Sequence, residues 1–162
     1  MKTMKFSLLL LLIGITAVTA NAQKDYKAGI GFRLGPSAGI SVKYFLNEKA
    51  AIDGIFSSRW HGSILHGLYE IHQDVFSTNN FNFYYGGGAH IGFWNLDGEY
   101  HPWFDGTGSH SVFGIDGVVG LEYNFDEIPF GMSIDWKPML NITDYTGFWM
   151  DDIGLTIRYT FR

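Results

Sequence analysis

Cysteine is absent, proline occurs only 4 times, and charged residues make up just 17% of the chain. The first absence excludes a disulfide scaffold, thiolate zinc and iron–sulfur sites, and a cysteine nucleophile. The scarcity of charge falls short of the ~25% usual in soluble domains. A formal charge of −5 without a basic run argues against a nucleic-acid partner. Disorder is excluded as well, because 46% of the residues are hydrophobic. No segment beyond the first 22 residues approaches 18 apolar residues without a charge or glycine. Any membrane crossing by the rest of the chain therefore uses strands.

What is present begins with a leader. Lys2 and Lys5 precede an apolar run from Phe6 to Val18, and Ala20-Asn21-Ala22 supplies small residues for a signal peptidase. The run is 13 residues, too short for a spanning helix. The sequence thus predicts a cleaved signal peptide over 1–22 and one domain over 23–162, carrying a net charge of −7 once Lys2 and Lys5 leave a chain of −5.

The mature chain alternates with period 2. Eight segments carry the pattern, at 26–34, 38–46, 50–58, 65–75, 81–93, 111–125, 130–138 and 153–161. Tyr26, Ile30, Phe32 and Leu34 share one face of the first, and Ile153, Leu155, Ile157, Tyr159 and Phe161 share one face of the last. Such alternation predicts strands with two unlike faces. Eleven charges lie inside these segments: Lys27, Arg33, Lys43, Asp53, Glu70, Asp74, Asp116, Glu122, Asp135, Lys137 and Arg158. All fall on the parity opposite the apolar set, among glycine, serine, threonine and asparagine. Phe45, Ile55, Leu68, Tyr84, Val112 and Val118 are apolar exceptions on that same parity. Residues 94–110 read as the longest loop and 139–152 as the next.

Two barrels fit. A soluble lipocalin-like barrel turns its apolar face inward to hold an apolar ligand, whereas a membrane barrel reverses the faces. The polar parity is glycine-rich and its signs nearly balance, which suits a narrow lumen better than a soluble surface. Aromatics gather near both ends of the segments, with Tyr26, Tyr44, Phe125, Phe130 and Tyr159 toward one and Phe93, Phe113, Trp136 and Trp149 toward the other. The sequence therefore predicts an all-β, eight-stranded, antiparallel up-and-down transmembrane barrel.

On these features the chain resembles the small outer-membrane β-barrels of Gram-negative bacteria, the OmpA/OmpX-type eight-stranded group. The sharpest residues are Asp152-Ile153-Gly154-Leu155-Thr156-Ile157-Arg158-Tyr159, which fit the insertion signal of the last strand, with Phe161 as the near-terminal aromatic before Arg162. The resemblance implies an outer-membrane location and a monomer. It implies short turns in the periplasm and 94–110 and 139–152 outside. It also implies partners in outer-membrane lipid, lipopolysaccharide and the barrel-assembly machinery, the last through the C-terminal strand. It says almost nothing about activity, because one barrel hosts many functions, and no cofactor is expected.

Candidate chemistry divides into four groups. Arg33, Lys43, Glu70, Asp74, Asp116, Glu122, Asp135, Lys137 and Arg158 form either an ion path or an interlocked charge plug. Eight strands leave an interior that side chains fill, which favours the plug. His66, Glu70, His72 and Asp74 share a strand face. They are hydrogen-bonded filler, or zinc ligands if an adjoining strand contributes one, such as His90. His61-Gly62-Ser63 and Ser109-His110-Ser111 place histidine beside serine, as acyl transfer needs. Two eight-stranded outer-membrane families modify lipid A, but Ile64 stands where the deacylase motif has asparagine. The outer loops offer Trp94, Trp103, Phe104 and Trp149 for recognition, and Asp97, Glu99 and Asp105 as weak calcium ligands whose spacing is not that of an EF-hand. The balance of these readings is a non-enzymatic structural or surface-interaction protein, with a lipid A or phospholipid acyl enzyme as the alternative.

Overall fold

A computed structural model describes residues 26–161 apart from 77, 79, 98–100 and 106. The leader expected over 1–22 and the candidate ligand Glu99 lie outside the described residues. The described chain is all strand and turn. Its elements are β1 (Ala28–Leu34), β2 (Ala38–Phe45), β3 (Ala50–Arg59), β4 (Gly62–Asp74), β5 (Phe81–Leu96), β6 (Gly108–Asn124), β7 (Phe130–Trp136), β8 (Met139–Asn141), β9 (Gly147–Trp149) and β10 (Ile153–Phe161).

Consecutive antiparallel pairing runs from β1 to β6, and β6 pairs in turn with β7 and β8. β7 pairs β10, β8 pairs β9, and β10 returns to β1, which closes the sheet. β7 with β8, and β9 with β10, are two barrel strands each broken once, so the closed wall has eight strands. The first break is at Pro138, which has no N–H to give to a ladder. Pairing is bridged there by Lys137 N–H donating to the Asp152 carbonyl at 2.8 Å and Gly117 N–H donating to the Pro138 carbonyl at 2.9 Å.

These pairings revise the loop boundaries. Trp94, Asn95 and Leu96 belong to β5, so the long loop covers 97–107. Residues 139–141 and 147–149 extend a hairpin, so only 142–146 remains as its loop. Between β3 and β4 the chain reverses through Trp60 and His61 alone, with φ of 49° and 57°. Positive φ at both central residues is the type I′ geometry whose twist matches the flanking strands.

The two faces of the wall have opposite chemistry. Phe32 is 69% exposed on the outside, and Leu34, Val42, Phe56, Leu65, Ile134 and Ile157 accompany it. Ten of the eleven alternating charges point inward and are buried; Lys27 alone is exposed. A lumen lined by these charges does not fit the lipocalin-like alternative, whose interior would have to be apolar. Tyr26 also departs from the expected parity. The chain bends at Lys27, which shifts the phase by one residue. Tyr26 then turns inward, edge-on to Phe45 at 5.0 Å, with its hydroxyl donating to Glu122 at 2.9 Å. Lys27 swings out over Tyr44.

The inner wall is built from small residues because long side chains cross the lumen. A Cβ on Gly154 would strike the Arg33 guanidinium, one on Gly29 the Arg158 side chain, and one on Gly114 the His90 ring. Gly86 and Gly88 instead lie against β4 backbone carbonyls, a close approach that fits tight sheet curvature.

Candidate functional site

The lumen is layered. In the layer toward the short turns, Lys43 Nζ lies 2.7 Å from Glu70, 3.3 Å from Glu122 and 3.8 Å from Asp53. Arg158 donates to Glu122 at 3.0 Å and to Asp53 at 3.2 Å, while Ser41 donates to Asp53 at 2.8 Å. His72 closes the layer against Glu70 at 3.0 Å. Asp74 is buried on the same strand. Above this layer Ile55, Leu68, Tyr84 and Val118, four of the apolar exceptions, form a dry cluster. Tyr84 joins the layers, because its ring lies over Lys43 Nζ at 4.3 Å and its hydroxyl donates to Asp135 at 3.2 Å.

In the upper layer Arg33 Nη1 donates to both oxygens of Asp135 at 2.6 and 2.7 Å, and Nη2 approaches Asp152 at 3.4 Å. Lys137 pairs Asp152 at 2.9 Å. The Asp116 carboxylate meets two imidazoles, His66 Nδ1 at 2.8 Å and His90 Nδ1 at 2.7 Å. These residues come from β4, β5 and β6, and the pairing of His66 with His90 and of His90 with Gly114 brings them level. Ser57 Oγ lies 3.3 Å from His66 Nε2, so serine, histidine and aspartate stand in the order of a hydrolase triad. Ser57 and His66 are each only 1% exposed, and this seals the hydroxyl from a substrate.

An aromatic cap closes the loop end. Trp94 and Trp103 are 3% and 5% exposed and pack with Ile64, Leu96, Val112 and Met139, while Trp60, Phe104, Tyr145 and Trp149 cover them. Trp94 Nε1–H donates to the Arg59 carbonyl at 3.0 Å. Arg59 stacks its guanidinium on Trp60 at 3.9 Å and pairs Asp151 at 2.6 Å. The buried Trp94 and Trp103 offer no outer surface, which leaves Phe104 and Trp149, both half-buried, as the recognition candidates nearer solvent. His101 lies inside this cap, and burial, with the nearby His110 second, lowers its pKa to about 4.

The two histidine–serine segments meet at the rim. His61, Ser63, Asn95, Ser109, His110 and Ser111 line one open groove of about 540 Å³ over Phe93 and Trp94. Cross-strand pairing of Ser63 with Phe93, and of Phe93 with Ser111, accounts for the meeting. His110 itself stacks on Phe104 at 4.1 Å and contacts Asp144 at 3.2 Å. Asp97 and Asp105 are exposed in the loop. Among the described residues the group with metal-ligand spacing is His66, His90 and Asp116 in the lumen. Sequence reasoning missed Asp152, Asn141 and Arg59, all buried and polar. Asp152 was legible only as the polar start of the last-strand signal.

No protein-family model matches the sequence, and no curated protein matches it. Among solved structures, the N-terminal β-barrel domain of Pseudomonas aeruginosa OprF is similar, with a TM-score of 0.63 at 17% identity over 83% of this chain and 95% of that one. At that identity the likeness is one of architecture, and in architecture the chain is an eight-stranded barrel of the OmpA/OmpX type.

Proposed function

We propose that this chain is a small monomeric protein of the bacterial outer membrane, with a structural or surface-interaction role and a lumen closed to ions. The observation that carries the reading is the reversal of faces: a continuous apolar exterior around buried, mutually paired charges. An outward charge near the bilayer midplane costs about 2–4 kcal/mol, so lipid explains why the charges avoid that face. The belt meets outer-membrane lipid and lipopolysaccharide, the β10 signal engages the barrel-assembly machinery, and the loops at 97–107 and 142–146 face outside. Planar-bilayer recording of the purified, refolded protein tests the closed lumen. No reproducible current steps are expected, and a sizeable single-channel conductance would make the lumen a path instead.

A second reading rests on the rim groove, where His61 and Ser63 stand with Ser109, His110 and Ser111 at the upper edge of the apolar exterior. That is the height at which an enzyme would reach an acyl ester of a membrane lipid. Mass spectra of lipid A and phospholipids from cells expressing the protein or His61→Ala decide it. An acyl mass shift present only with the unmutated chain establishes the enzyme, and identical spectra remove it.

A further inference from the structure

We propose that His66, His90 and Asp116 bind a divalent transition metal, zinc foremost, in the upper lumen. All three are buried, and one donor atom from each lies within 4.8 Å of the others. Two imidazoles and a carboxylate are the ligand types of zinc.

The hydrogen-bond directions support a cation at this point. His90 Nε2 lies 2.9 Å from Asn141 Oδ1, and an amide oxygen only accepts, so the proton sits on Nε2. A neutral His90 then aims the lone pair of Nδ1 at an Asp116 oxygen 2.7 Å away. Two acceptors that close are bridged by a proton in the metal-free barrel, and a zinc ion with donors at about 2.0–2.2 Å takes the place of that proton once the two atoms open to a little over about 3 Å. His66 places Nδ1 on the other Asp116 oxygen at 2.8 Å and Nε2 beside Ser57 Oγ at 3.3 Å, a hydroxyl that can accept from Nε2 or donate to it. An outer partner on the far ring nitrogen is how metal-bound histidines are held.

Charge does not oppose a cation here: the upper layer sets Arg33 and Lys137 against Asp116, Asp135 and Asp152, with Asp116 held by imidazoles alone. Lys137 is the competitor, because its Nζ is 3.3 Å from both nitrogens of His66. Zinc binding moves it toward Asp152, where it already pairs. If the Asn141 amide is turned round, it donates to His90 instead, and protons on both Nδ1 atoms satisfy Asp116 without a metal. The experiment separates these two states.

The full chain is refolded in detergent with zinc, dialysed against metal-free buffer, and assayed for bound zinc by mass spectrometry. Cobalt(II) replaces zinc in a parallel sample read by visible absorption. The expected result is about one zinc per barrel and the absorption bands of tetrahedral cobalt with nitrogen ligands. The double variant His66→Gln/His90→Gln loses both signals, and His72→Gln in the other layer keeps them. Asn141→Ala weakens binding about 10–100-fold through loss of the outer partner, and Lys137→Met tightens it. Absence of zinc and of tetrahedral cobalt bands from the folded wild-type barrel overturns the proposal. So does equal retention by the double variant. Should that variant fail to fold, the wild-type cobalt spectrum and Asn141→Ala decide.

Discussion

The two polar layers of the lumen look alike in composition but are held differently. Below Tyr84, Lys43 and Arg158 each reach several carboxylates, so Asp53 and Glu122 have two cationic partners apiece. Above Tyr84, Asp116 is held by two imidazoles, and Asp152 by two cations at its ion-pair edge. The lower layer is an ionic knot in which every member depends on the others. The upper layer contains a carboxylate, Asp116, held by two imidazoles rather than by fixed cations. Depth alone does not decide whether a buried charge is structural; the kind of partner does.

The largest test of this contrast is a pair of substitutions. Arg158→Met leaves Lys43 as the one cation beside the buried Glu122, Asp53 and Glu70, and the expected loss is about 3–5 kcal/mol. Lys137→Met leaves Asp152 still facing Arg33 at 3.4 Å and is expected to cost about 1–3 kcal/mol. Urea midpoints followed by the loss of strand circular dichroism read both. Equal losses would break the distinction between the layers, and recovery of Lys137→Met but not Arg158→Met by zinc would sharpen it.

Next comes the junction. Tyr84→Phe keeps the ring over Lys43 but removes the hydroxyl that donates to Asp135, with an expected cost of about 1 kcal/mol. A much larger loss would mean the layers unfold as one network. A cost near zero would mean that Arg33 alone holds Asp135.

The smallest expected effect is one of pH, and it concerns the cap above the upper layer. His101 in an unfolded loop takes up its proton near pH 6.5, whereas burial holds it neutral in the cap down to about pH 4. The unfolded state thus binds more protons in that window. Cap stability is complete above about 6.5 and declines as pH falls toward about 4. Tryptophan fluorescence of Trp94 and Trp103 followed over that range is expected to show loosening, and His101→Gln to flatten it. A cap that tightened on acidification would reverse the assignment.

Much of the fold was legible because the penalty for charge on an apolar face acts residue by residue. Arg33, Lys43, Asp116 and Arg158 needed only their parity to be placed inside. Parity failed at Tyr26 and Lys27, where a bend shifts the phase, and it stopped at Lys137, where Pro138 interrupts the ladder. Trp94 shares the inward parity of His90 and was legible in principle, but the loop-like composition that follows it concealed the end of β5. The meeting of His66, His90 and Asp116 depends on strand register, which periodicity alone leaves open. His90 was reachable as an adjoining-strand ligand, whereas Asp116 read only as one charge among several. Asn141 went unseen because a hairpin extension resembles a polar loop until its partner strand is known, and Asp152 showed only as the polar start of the last-strand signal.

A wall with lipid outside and a packed polar lumen inside is directly measurable, because the chain has no cysteine. Single cysteines at Leu155, Thr156, Ile157 and Thr160 in β10, each carrying a nitroxide label in lipid vesicles, would report collision with oxygen dissolved in lipid and with a water-soluble nickel complex. Labels at Leu155 and Ile157 are expected to collide with oxygen, and labels at Thr156 and Thr160 to be shielded from both reagents. Nickel access on both faces, or no alternation along the strand, would contradict the barrel as a membrane-embedded, plugged structure.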